Sequence, residues 1–215
     1  TRSEEQLVEA LTGRSLSLPS NRVLIDKGEV GVVLYRIVSG WAYRYRSSGN
    51  GCRQILDFLL PGEIVGLQAA VLGVLDHSVH SLTALHVSIL DARIVGEAFR
   101  SEPNLAMRLS RHAAAEACRV DELLTAIGCF DAVGRIAFLM LSVYERQAGR
   151  DEIDPLACPF PVRRQHLADA LGLTGAHINR TLNRLREEGV ASINNQLLSI
   201  RDLSRLTELA GGAAP

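Results

Sequence analysis

Between residues 175 and 188 one set of side chains has the spacing of a helix face. Ala176, Asn179, Arg180 and Asn183 stand at i, i+3, i+4 and i+7. Arginine can donate two parallel hydrogen bonds to guanine O6 and N7, and asparagine can pair with adenine N6 and N7. His177 lies among them. Ile178, Leu182 and Leu185 form the opposite, apolar face, which predicts an amphipathic helix from Gly175 to Glu188. That layout suits a helix lying in the major groove of DNA. Ala176, His177, Asn179 and Arg180 are the candidate base readers, although His177 touching only a phosphate stays open.

Such a helix needs elements that hold it. Residues 163–171 read as a shorter helix, Gly172 as the turn after it, and Thr174 as the N-cap of the recognition helix. Small residues at Gly175 and Ala176 allow close approach to DNA, where the positive end of the helix dipole favours phosphate. Candidate DNA-backbone contacts are Arg164, Gln165, Thr174, Gly175, Asn183, Arg184 and Asn194. Gly189-Val190 ends the helix, and residues 192–200 read as a two-stranded wing with an Asn-Asn turn. An ordinary helical hairpin with a solvated polar face is the plainer alternative.

Upstream, Asp131 caps a helix over 132–148 with Ile136, Leu139, Met140 and Val143 inward, ended by Gly149 and followed by a polar loop over 149–158. Gly128-Cys129-Phe130-Asp131 breaks it from a longer helical pattern over 103–127. In that pattern Ala106, Leu109, Ala113, Glu116, Val120, Leu123 and Ile127 alternate in steps of three and four, a seam for pairing with a second helix. Packing on the chain's own N-terminal domain is the alternative. Glu116 either fixes register or counts against the seam.

From about residue 15 to 95 the texture changes. Apolar runs at 23–25, 32–38, 42–46, 53–59, 64–67 and 80–90 alternate with glycine-rich turns, the pattern of an antiparallel roll. Residues 3–11 read as a short helix and 211–215 as a disordered tail. The predicted class is α+β. A β-roll domain spans 1–102, a long helix and hinge 103–130, and a winged helix-turn-helix 131–210.

Composition sets limits. The net charge is −1, from 23 basic and 24 acidic side chains, so no bulk positive charge points at phosphates. Of the 23 basic residues one is lysine, Lys27, and the rest are arginine. Recognition must therefore be local and built on guanidinium groups. Within 159–190 five arginines face three acids. No run reaches the ~18 apolar residues of a membrane span. No signal-peptide apolar region is visible, and Cys52, Cys118, Cys129 and Cys158 are widely spaced, which fits a reducing cytoplasm. Cys118 or Cys129 could serve redox sensing, with a buried, inert thiol as the preferred reading. There is no P-loop, GxGxxG, nucleophile elbow or HExxH, so an enzyme is not expected.

The order roll, long helix, hinge and winged helix-turn-helix resembles the cyclic-AMP receptor protein/FNR superfamily of bacterial transcription regulators over about residues 20–203. Local matches are Leu34–Gly40, Pro61–Gly66, Phe130–Ala137 and Arg164–Asp169. The resemblance implies a cyclic-nucleotide-binding-like β-roll and a homodimer on a palindromic operator of double-stranded DNA, in contact with RNA polymerase. The hinge would set the pose of the recognition helices. It also implies that Arg180 reads guanine, with Asn179 and Ala176 at the other base-reading positions. A glutamate is common where Ala176 stands, so a different half-site is expected.

The resemblance places a degenerate effector pocket at Gly66, Leu67, Gln68, His77 and Ser78. Leu67 stands where cyclic-nucleotide binders carry the ribose-holding glutamate, and His77 where they carry the phosphate-pairing arginine. Tight cyclic-AMP binding is therefore not expected, and control falls to another effector or to none, with activity then set by expression level. No cysteine precedes Cys52, which argues against the N-terminal 4Fe–4S cluster of FNR-type members. Haem ligation by His77, His80, His86 or His112 is a minor alternative to solvated or hydrogen-bonded histidines. The competing function is a small-molecule, haem or redox sensor whose helical domain docks protein rather than DNA.

Overall fold

The computed structural model describes residues 12–29, 33–49, 51–148 and 157–212. The expected N-terminal helix at 3–11, Gly149 and nearly all of the 149–158 loop lie outside them, as do residues 213–215 of the tail. The chain forms two compact units that divide at Val120/Asp121.

The first unit is built on eight antiparallel strands. They are β1 (Thr12–Leu18), β2 (Val23–Ile25), β3 (Val33–Ser39), β4 (Ala42–Ser47), β5 (Arg53–Leu59), β6 (Ile64–Val65), β7 (Ser78–Ser81) and β8 (Leu85–Asp91). Two four-stranded sheets run in the orders β1-β8-β3-β6 and β2-β7-β4-β5. Between them Leu24, Ile37, Leu59, Val79 and Val87 form the buried core. Helix α1 (Leu67–Leu72) follows β6, and α2 (Arg93–Ser101) follows β8. Gly66 makes the turn into α1 at φ 92°, and a Cβ there would stand 2.7 Å from the Val33 carbonyl oxygen, so only glycine fits.

These elements correct the expected runs in four places. Strand β1 and helix α2 were not anticipated. The run 64–67 is a strand only to Val65, and Leu67 opens α1. The run 80–90 is two strands, because the chain leaves the second sheet after Ser81 and enters the first at Leu85.

Helix α3 (Pro103–Cys129) is one long helix, and the division between the units falls inside it rather than at its ends. Its first turns belong to the β unit. Leu105, Ala106 and Leu109 are buried with Leu34, Leu67, Leu90 and Ile94. The expected seam is corrected here: Ala106 and Leu109 are spent on the chain's own core, and Glu116 is turned to Arg44. Ala113 is exposed, Val120 and Ile127 are half-buried, and Leu123 is buried. Burial of apolar area against the nearest β surface decided the facing, which periodicity alone cannot.

The second unit continues with α4 (Ala132–Ala148), β9 (Ala157–Pro159), α5 (Arg164–Leu171), α6 (Gly175–Glu187), β10 (Ala191–Asn194), β11 (Leu197–Ile200) and α7 (Leu203–Leu209). Asp131 caps α4 as expected, its Oδ1 accepting from the Gly134 N–H at 2.8 Å. Ile136, Leu139, Met140 and Val143 are all buried. Gly211 and Gly212, placed in the disordered tail by sequence, instead close α7: their N–H groups donate to the carbonyls of Glu208 and Thr207.

Candidate nucleic-acid interface and effector pocket

The turn between α5 and α6 is set by local chemistry. Gly172 adopts the left-handed conformation at φ 63° and donates to the Ala168 carbonyl at 3.0 Å. Thr174 Oγ1 accepts from the His177 N–H at 3.3 Å and starts α6. Ile178, Thr181 and Leu185 anchor the helix in the core. Leu182, expected inward, is half-buried, and Thr181 takes the buried place instead.

The opposite face is free. Gly175, Ala176, His177, Asn179, Arg180 and Asn183 are exposed together. Among the described residues no hydrogen bond or ion pair engages the Arg180 guanidinium. Arg184, further along α6, is held by Glu188 at 2.7 Å, and that hydrogen bond raises its pKa. On α5, Arg164 and Gln165 are exposed, and Gln165 Nε2 donates to Asp169 Oδ1 at 2.7 Å. The exposed face of α6 therefore presents the Arg180 guanidinium, two amides and an imidazole beside the helix N-terminus. That is hydrogen-bonding equipment for base edges and phosphates.

The wing is present with two corrections. Its turn is Asn195-Gln196, at φ 49° and 63°, so Asn194 closes β10 rather than starting the turn. It also has three strands in the order β10-β11-β9, because Leu197–Ser199 pair with Ala157–Pro159. Asn194 is exposed and donates to Ser192 Oγ at 3.4 Å.

In the β unit, Gly66, Leu67, Gln68 and His77 line one cavity. Ser78 does not line it; its Oγ accepts from the Lys27 N–H at 3.0 Å. The space left is about 10 Å³, roughly one water. Sequence reasoning missed what fills it: Arg44, Arg119 and His112 also line it, as does Glu116. Arg44 and Asp57 are cross-strand partners on β4 and β5, and they are 6% and 7% exposed. Arg44 pairs with Glu116 of α3, and Asp57 accepts from Arg119 Nε at 2.8 Å. A signal existed in the Ile-Leu-Asp-Phe run, where a charge interrupts a core strand and must find a partner.

His77 is buried, with Nδ1 3.0 Å from Asp76 Oδ1. Burial, then Arg44 and Arg46, lower its pKa to about 4. The other histidines proposed for haem are separately engaged: His80 with Tyr45 Oη, His86 with Ser17 Oγ, and His112 with the Ile64 carbonyl. The described residues contain no cluster of three or more His, Cys, Asp or Glu able to hold a metal. Cys118 and Cys129 are exposed, against the preferred reading of buried thiols. Only Cys158 is buried, and burial pushes its thiol up to about 11.

Comparison with known proteins adds to this geometry. Residues 15–102 match the cyclic nucleotide-binding domain family and residues 134–209 the Crp-like helix-turn-helix domain family. The chain is 30% identical to the nitrogen fixation regulation protein FixK of Azorhizobium caulinodans, over 95% of this chain and 82% of that protein. It is 30% identical to FixK of Rhizobium meliloti, over 81% of this chain and 76% of the relative. The solved structure of FixK2 from Bradyrhizobium japonicum superposes with a TM-score of 0.83 at 22% identity, covering 94% of this chain and 98% of that one. No helix among the described residues is long and apolar enough to cross a membrane.

Proposed function

The chain belongs to the Crp/Fnr superfamily of DNA-binding transcription regulators, and from that premise we propose that it acts as a homodimer on a palindromic operator, reading each half-site with the exposed face of α6. Arg180 is the principal base reader, bidentate to a guanine, with Ala176, His177 and Asn179 beside it. Arg164, Gln165, Thr174, Gly175, Asn183 and Asn194 contact the DNA backbone. Arg184 joins them only by giving up Glu188. The observation that carries the reading is the unengaged Arg180 guanidinium on a face whose other members are small, amide or imidazole side chains.

Pairing through α3 uses the stripe that the β unit leaves open. Met107, Ser110, Ala114, Ala117, Asp121 and Leu124 are all exposed and repeat in steps of three and four. Met107 and Leu124 are 56% and 67% exposed, large apolar side chains that a second copy would cover. RNA polymerase is the further partner that the family implies. Cyclic AMP is not the effector, since Leu67 lies in the core and His77 replaces the phosphate-pairing arginine.

Selection of duplexes from a random DNA library tests this. Two-fold symmetric sites are expected, bound by a dimer in sedimentation analysis. Arg180→Ala should then relax the preference at one base pair of each half-site. A chain that enriches no duplex overturns the proposal.

A further inference from the structure

Three residues of α3, His112, Glu116 and Arg119, stand at i, i+4 and i+7 and face the strands of their own β unit. His112 Nε2 bonds the Ile64 carbonyl at 2.9 Å, Glu116 pairs with Arg44, and Arg119 pairs with Asp57. Asp57 Oδ2 also lies 3.7 Å from Arg44 Nη2. Arg44, Glu116 and Arg119 line the same cavity as Gly66, Leu67, Gln68 and His77, and Asp57 pairs with both arginines beside it.

We propose that the Glu116 carboxylate is a built-in ligand. It takes on Arg44 the place of an effector anion, so the β unit and α3 are tied together with no small molecule bound. DNA binding is then independent of effector. This consequence rests on the DNA-binding reading above; the Arg44–Glu116 chemistry does not.

Arg44 is nearly buried, and a buried guanidinium needs an anion. The covalently attached Glu116 supplies one at an effective concentration no free ligand matches. The space remaining, about 10 Å³, accommodates no further anion larger than water. A buried ion pair also contributes little net stability compared with apolar packing. What it does supply is geometry: it specifies which turn of α3 faces β4.

The test compares the wild-type chain with Glu116→Ala and Glu116→Gln. DNA affinity is read by fluorescence anisotropy on the selected duplex, and thermal unfolding is read in parallel. The additions are cyclic AMP, cyclic GMP, sodium acetate and, as control, sodium chloride at equal ionic strength. Wild type should bind fully without addition and gain nothing from any of them. Glu116→Ala should lose roughly tenfold or more in affinity. Acetate, but not chloride, should restore part of both affinity and melting temperature. Glu116→Gln keeps the volume and loses the charge, and covers the case where Glu116→Ala does not fold. It should lose affinity without acetate rescue, because its site is filled.

A cyclic nucleotide that raises wild-type affinity overturns the proposal. So do folded variants that bind like wild type, or a loss in Glu116→Ala that acetate leaves unchanged. If no duplex is bound by any chain, the DNA-binding reading fails instead. Acetate rescue of the melting temperature then still reports Glu116 as ligand of Arg44.

Discussion

The guanidinium of Arg135 on α4 donates from Nη1 to the carbonyl of Leu171 at 3.1 Å. Its Nε donates to the carbonyl of Phe130 at 3.0 Å. Leu171 is the last residue of α5, so its carbonyl has no partner within the helix. One side chain thus ties the α3–α4 junction to the turn that aims the recognition helix.

Loss of that tie should be measurable. Arg135→Ala leaves two carbonyls without their charged donor and is expected to cost about 1–3 kcal/mol. Urea unfolding followed by circular dichroism reads the change. Arg135→Lys should recover only part of it, since an ammonium cannot fork to both carbonyls.

Arg180 and Arg164 should separate by the kind of binding they support. Arg180→Ala is expected to lose about 1–3 kcal/mol and relax specificity at one base pair. Arg164→Ala should weaken binding equally on all sequences and lower the salt-dependence slope by about 1. Anisotropy titrations over a range of salt distinguish the two.

His77 imposes a pH window. Its folded pKa, about 4, lies below the ordinary 6.5, so the unfolded chain takes up the proton first as pH falls. The stability linked to neutral His77 is complete above about 6.5 and is lost between there and about 4. An upper bound is on the order of 3 kcal/mol. Thermal unfolding of wild type and His77→Asn across this range tests it: the variant's slope should be shallower. Asp76, Arg44 and Arg46 surround the ring and remain in both chains.

Thiol counting should divide the cysteines. Cys52, Cys118 and Cys129 are exposed and should react with an aromatic disulfide reagent in the folded chain at neutral pH. Cys158, its thiol raised to about 11 by burial, should react only on unfolding. A fourth fast thiol would contradict its burial.

The recognition face was legible because it depends on neighbours in sequence. Gly172, Thr174 and the i, i+3, i+4, i+7 spacing of Ala176, Asn179, Arg180 and Asn183 are local, and each stands as read. The facing of α3 was not legible. A heptad pattern says that one stripe is special, but Ala106 and Ala114 differ only in what lies opposite. Strand β1 escaped because only Leu16 and Leu18 mark its inward face, too short an alternation to stand out without its pairing with β8.

The chain by itself determined the order of elements, the family, and the exposed polar face of α6. Helix spacing, caps and turn residues act over a few positions, and those interactions survive without knowledge of distant partners. Tertiary structure alone decided the fate of Arg44, Asp57, Glu116 and Arg119. Arg44 and Glu116 are 72 residues apart. A charge is tolerable in a core only beside its opposite. That pairing is made by the sheet register and the packing of α3, and no local pattern records it.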